Sequence, residues 1–111
     1  MYYVGIDIAK KSNVSSIIND KDVFIKKSFK FNNDEKGFKE FTNLLSSINK
    51  NLGSFIIAME ATGLLFENLY LYLKGKGYNV ILLNPYQTSK FREMNTMKKV
   101  KNDNIDAIMI E

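Results

Sequence analysis

Four carboxylates are the residues of this sequence best suited to chemistry. Asp7 interrupts the apolar run Val4-Gly5-Ile6-Asp7-Ile8, Glu60 closes the run Phe55-Ile56-Ile57-Ala58-Met59, and Asp103 and Asp106 stand three apart near the end of the chain. A carboxylate inside an apolar strand must be neutralised, hydrogen-bonded or bound to a cation. Asp7 therefore carries the sharpest signal, unless the strand ends at Ile6 and leaves Asp7 exposed at its tip. Glu60 falls at the C-terminal end of a buried strand, where open α/β sheets place ligand groups, but it could equally serve the dipole of a following helix. Asp103 and Asp106 share a face if helical, and the same spacing suits a capping residue followed by an acid at N3. Carboxylates gathered in a small space repel one another unless a cation compensates. One or two divalent ions remove that cost and can activate a water or hydroxyl against a phosphodiester.

The rest of the composition narrows the chemistry. The chain has no Cys and no His, which excludes disulfides, thiolate sites, imidazole ligands and Ser-His nucleophiles. Ser12, Ser15, Ser16 and Ser89 have no base to activate them, and neither a Walker loop nor a dinucleotide fingerprint is present. A bound metal would be hard and oxygen-ligated, Mg²⁺ or Mn²⁺. The formal net charge is a modest +4, but it is unevenly spread. Lys90, Arg92, Lys98, Lys99 and Lys101 face only Glu93 between Asn84 and Asn102, and Lys10 and Lys11 follow Asp7 directly. A basic segment leading into an acidic pair is expected where a phosphate backbone meets bound metal; a solvated loop is the plainer reading.

These residues need a scaffold. A chain of 111 residues supports one domain with a small core. Residues 2–9, 14–18 and 23–29 read as three strands joined by turns too short for a helix, hence a meander. Asn33 or Asp34 can cap a helix reaching about Lys50, with Phe38, Phe41, Leu45 and Ile48 as its apolar face. Phe55–Met59 is a fourth strand. A helix from Leu64 to about Lys74 follows, with Leu65, Leu69 and Tyr72 on one side and Gly77 as a left-handed cap. Tyr78–Leu83 is a fifth strand, ended by Asn84-Pro85, and Asn102 or Asp103 starts a last helix. The order β-β-β-α-β-α-β-α predicts a mixed α/β sheet with helices on both faces. No run is long and apolar enough to span a membrane, and the N-terminus does not resemble a secretory signal. A cytoplasmic, nucleoid-associated protein is expected.

Gly5-Ile6-Asp7-Ile8-Ala9-Lys10, Glu60-Ala61-Thr62-Gly63, Asn84-Pro85 and Lys101-Asn102-Asp103-Asn104-Ile105-Asp106-Ala107 together resemble the N-terminal domain of the DEDD-type transposases, insertion-sequence recombinases with a RuvC-like fold. The resemblance covers essentially the whole chain. It implies a ribonuclease H-like fold with strand order 3-2-1-4-5 and strand 2 antiparallel. It implies that Asp7, Glu60, Asp103 and Asp106 bind Mg²⁺ or a similar ion, with DNA as substrate. It further implies that residues 1–111 are a fragment of a longer protein whose C-terminal domain bears a Ser nucleophile, that the whole protein is an oligomer, and that a structured guide RNA is a partner in some members. Asn104 departs from the family, where Arg is frequent, which puts a phosphate contact in doubt but not the ligands.

Two other classes compete. A nucleic-acid-binding and assembly module without chemistry would use the same basic residues, with its acids acting as caps. An actin-like ATPase or sugar kinase also opens on a Gly-x-Asp strand, but it needs a Gly-rich phosphate turn that Lys10-Lys11-Ser12 does not provide.

Overall fold

A computed structural model of the chain describes residues 1–60 and 65–83. Its elements run β1 (Tyr2–Ile8), β2 (Ser12–Asn19), β3 (Phe24–Asn32), α1 (Glu35–Ile48), a 3-10 turn (Leu52–Ser54), β4 (Phe55–Glu60), α2 (Glu67–Lys76) and β5 (Asn79–Leu83). They form one sheet in the order β3-β2-β1-β4-β5. β2 is antiparallel to both β1 and β3, whereas β1, β4 and β5 are parallel. This is the mixed sheet expected from the resemblance, with its strand order.

The meander is tighter and longer than the apolar pattern alone suggests. Polar Ser12 and Asn13 join β2, and Lys30 and Asn32 join β3, because the ladder pairs backbone groups whatever the side chain. Its hairpin turn is closed by the Asn19 side chain, which accepts from the amides of Lys21 (2.9 Å) and Val23 (3.1 Å).

The strict alternation of β1 and β4 sorts the sheet into two faces. Val4, Ile6, Ile57 and Met59 face the helices and merge with Phe38, Phe41 and Leu45 of α1 and Leu69 and Leu73 of α2 into the main core. Phe31 stacks on Phe41 at 4.5 Å between ring centroids, which ties the edge of the sheet to α1. Asp34, one of the two expected caps, starts α1 by accepting the Gly37 amide at 2.8 Å. In α2 the buried stripe is Leu69 and Leu73, an i, i+4 pair. Leu65, which the spacing places on the same stripe, instead lies in the turn before the helix, 45% exposed. Gly77 ends α2 at φ 102°, and its amide bonds back to Leu73 and Lys74.

Both described helices pack on this one face. The helix expected from Asn102 or Asp103 lies outside the described residues. The second face carries a separate buried cluster, Ile18, Ile56, Ala58, Ile81 and Leu83. Gly5 and Asp7 belong to this second face by alternation.

Candidate functional site

β1 and β4 run side by side and parallel, with Ile6 paired to Met59. One further step of the same register sets Asp7 beside Glu60, the last residue of β4, which itself pairs with Leu83 of β5. Neighbouring strands are roughly 5 Å apart, and laterally paired residues share a face. The two acids therefore occupy adjacent positions on the second face, at the C-terminal ends of adjacent strands. Although 53 positions apart in sequence, they are neighbours because β4 inserts next to β1.

The environment differs from that expected for Asp7. Its strand does not stop at Ile6, and Asp7 is paired with Val14 within the ladder, yet the residue is exposed. It looks out from the side of the sheet opposite the helices, so desolvation does not force compensation on its carboxylate. Half-buried Glu60 stands beside it on the same face.

The turn after Asp7 is held on two sides. The Ala9 amide donates to the carbonyl of Ser12 (3.1 Å) and to Oδ1 of buried Asn13 (3.4 Å). The Ala9 carbonyl accepts from Nδ2 of Asn33 at 3.1 Å, and the Asn33 amide donates to the Lys11 carbonyl at 3.0 Å. Asn33 immediately precedes the cap of α1, so the start of that helix anchors the segment carrying Lys10 and Lys11. Both lysines are exposed at the same end of the sheet as Asp7.

Asp103, Asp106, Lys90, Arg92, Lys98, Lys99 and Lys101 lie outside the described residues. Among the described residues no group of three acids is placed to hold an ion. The donor chemistry nonetheless suits a hard divalent cation: two carboxylates on neighbouring strands, in a chain without imidazole or thiol. The pattern of the sequence did not single out Lys30. It pairs with Val14, which pairs with Asp7, and only the register reveals that alignment.

A five-stranded mixed sheet in the order β3-β2-β1-β4-β5, with Asp7 and Glu60 near the C-terminal ends of two adjacent parallel strands, defines a ribonuclease H-like fold. The fowlpox virus Holliday junction resolvase has a similar structure, with a TM-score of 0.55 over 96% of this chain and 84% of that one, at 16% identity. The model of the DEDD-type transposase family matches residues 4–110. The chain belongs to the transposase family. It is 27% identical over 108 residues to the pilin gene-inverting proteins of Moraxella lacunata and Moraxella bovis, covering 97% of this chain and 32% of each of theirs. The chain thus spans about a third of the length of these relatives. No helix among the described residues is long and apolar enough to cross a membrane.

Proposed function

We propose that this chain is the metal-dependent, DNA-cleaving part of a transposase, with Asp7, Glu60, Asp103 and Asp106 as ligands of Mg²⁺ or Mn²⁺. The observation that supports it most is the pairing of Ile6 with Met59, one step before Asp7 and Glu60. Acids from two distant segments meet at the sheet edge where α/β folds place their ligands. A bound divalent ion would supply Lewis-acid activation of the attacking oxygen and charge neutralisation at the leaving oxygen. The chain's own contribution is to present carboxylate oxygens from a rigid sheet and to hold the scissile phosphate with Lys10, Lys11 and the basic segment from Lys90 to Lys101. Through the family resemblance the reading extends to a serine-bearing domain outside these residues, to assembly with further copies, and to a structured RNA as partner.

Calorimetric titration with Mg²⁺ and Mn²⁺ tests the centre. Asp7→Asn and Glu60→Gln, each removing a ligand charge, should each weaken uptake about tenfold or more, a loss of about 1.4 kcal/mol. Uptake unchanged in both variants would sink the assignment.

The exposure of Asp7 and the lysines beside it favour a second reading, a DNA-binding and assembly module. That module would bind DNA in a salt-dependent way indifferent to divalent ions, and charge reversal at Lys98, Lys99 and Lys101 would abolish its binding.

A further inference from the structure

The second face of the sheet is divided. Over β4 and β5 it is apolar and buried, with Ile56, Ala58, Ile81 and Leu83 at most 5% exposed. Over β2 and β3, at the end nearest Asp7, it is polar and open: Val14 is 38% exposed, Lys30 and Asn32 are exposed, and Ser12 and Ser16 are half-buried. The register places these residues on one face, with Asn32 opposite Ser12 and Lys30 opposite Val14. Val14 in turn is opposite Asp7. Lys30, Val14 and Asp7 therefore form one row across three strands, with Glu60 a step beyond. Two strand spacings, roughly 10 Å, separate Lys30 from Asp7 along that row.

Three properties mark this strip as a seat for a polyanion. The open residues along β2 are small or short, so a backbone can approach the sheet closely. Among the described residues its cation, Lys30, has no ion-pair partner. Lys26, by contrast, pairs with Ile17 of the helix-side core and sits 5.9 Å from the Phe29 ring centroid. Lys10 and Lys11 border the same end from the β1–β2 turn, so positive charge flanks the strip while the acids close it.

We infer that the open β2–β3 half of this face is a DNA-binding surface, on which Lys30 holds a backbone phosphate and directs the strand along the row towards Asp7 and Glu60. The inference rests on the proposed DNA-cleaving function and adds to it a positioning residue and a direction of approach. Val14 serves as the flat floor between the cation and the acids.

The chain contains no cysteine, so single-cysteine chemistry is clean. Val14→Cys and Lys30→Cys should form disulfide cross-links with a DNA strand bearing a thiol tethered to a backbone phosphate, whereas Lys26→Cys on the opposite face should not. In anisotropy titrations of the full chain, Lys30→Gln should weaken DNA binding several-fold and reduce the slope of log affinity against log salt by about one. Val14→Glu, which sets a negative charge in the row, should weaken it further, and Lys26→Gln should leave it unchanged. Thermal melts of each variant check that the fold is retained. DNA binding that ignores both Lys30→Gln and Val14→Glu overturns the inference, as does cross-linking through residue 26 alone. An effect of these variants on RNA binding but not on DNA binding overturns it as well. Loss of the Lys30 effect with Mg²⁺ uptake intact at Asp7 and Glu60 removes this surface alone. A Lys30 effect without metal uptake removes the metal centre alone, and a chain that binds no DNA removes both.

Discussion

Ser15 and Asn13 lie opposite Ile6 and Ile8 on the helix-covered face, fully buried. The Ser15 hydroxyl and the Asn13 amide nitrogen make no hydrogen bond there. Their costs differ, because Asn13 also receives the Ala9 amide through its oxygen while Ser15 returns nothing. An unpaired buried hydroxyl costs roughly 1–3 kcal/mol. Ser15→Ala should therefore raise stability by about 1 kcal/mol in urea unfolding; a clear loss would show that the hydroxyl is satisfied in solution. At this scale the sequence was legible where a residue type clashes with its pattern. Asp7 and Glu60 stand out as acids closing apolar runs. Lys30 does not, since a lysine in a polar strand is unremarkable until pairing sets it in line with Asp7. The exposure of Asp7 was equally hidden, because alternation assigns a face but not what covers it.

Two glycines show opposite constraints on the helices. In α1, a Cβ on Gly37 would overlap the backbone of Asn32, so the first turn can approach the end of β3 only without a side chain. Gly37→Ala must push the helix start away, and it should cost about 1–3 kcal/mol and loosen the β1–β2 turn that Asn33 holds. Gly75 in α2 has no neighbour within 4 Å of such an atom. Gly75→Ala should stabilise by about 0.5–1 kcal/mol through helix propensity alone. Measured by the same thermal melts, the two substitutions should move the transition in opposite directions. Periodicity marks an element where the apolar positions repeat strongly. Phe38, Phe41 and Leu45 mark α1 unambiguously. In α2 the aromatic and aliphatic residues are spread around the helix, so spacing alone does not distinguish exposed Leu65 from buried Leu73 as the partner of Leu69.

Across the molecule, strand order was the part that spacing could not supply. Short links impose the meander, but nothing in the alternation of β4 dictates that it insert beside β1; that came from the resemblance. The assembled fold also sets an alkaline limit. Burial raises the Tyr3 phenol above its ordinary value of 10.0, and the hydrogen bond to Asp20 and that carboxylate's charge add to the shift. Burial also raises Tyr78, outweighing an opposing hydrogen bond with Ser46. The folded chain thus holds these protons more tightly than the unfolded one. Their contribution is complete below about pH 10 and is lost as pH rises through the folded values. Above pH 10 stability should fall with a slope that Tyr3→Phe and Tyr78→Phe reduce, as read from urea unfolding at a series of pH values. The anchoring of Ala9 by Asn33 carries a kinetic corollary. The loop beside the acids and the first turn of α1 cannot open separately, so they behave as one cooperative unit. In deuterium exchange the amide protons of Ala9, Asn33 and Gly37 should be replaced at matching rates, and Asn33→Ala should uncouple them, letting Ala9 exchange first.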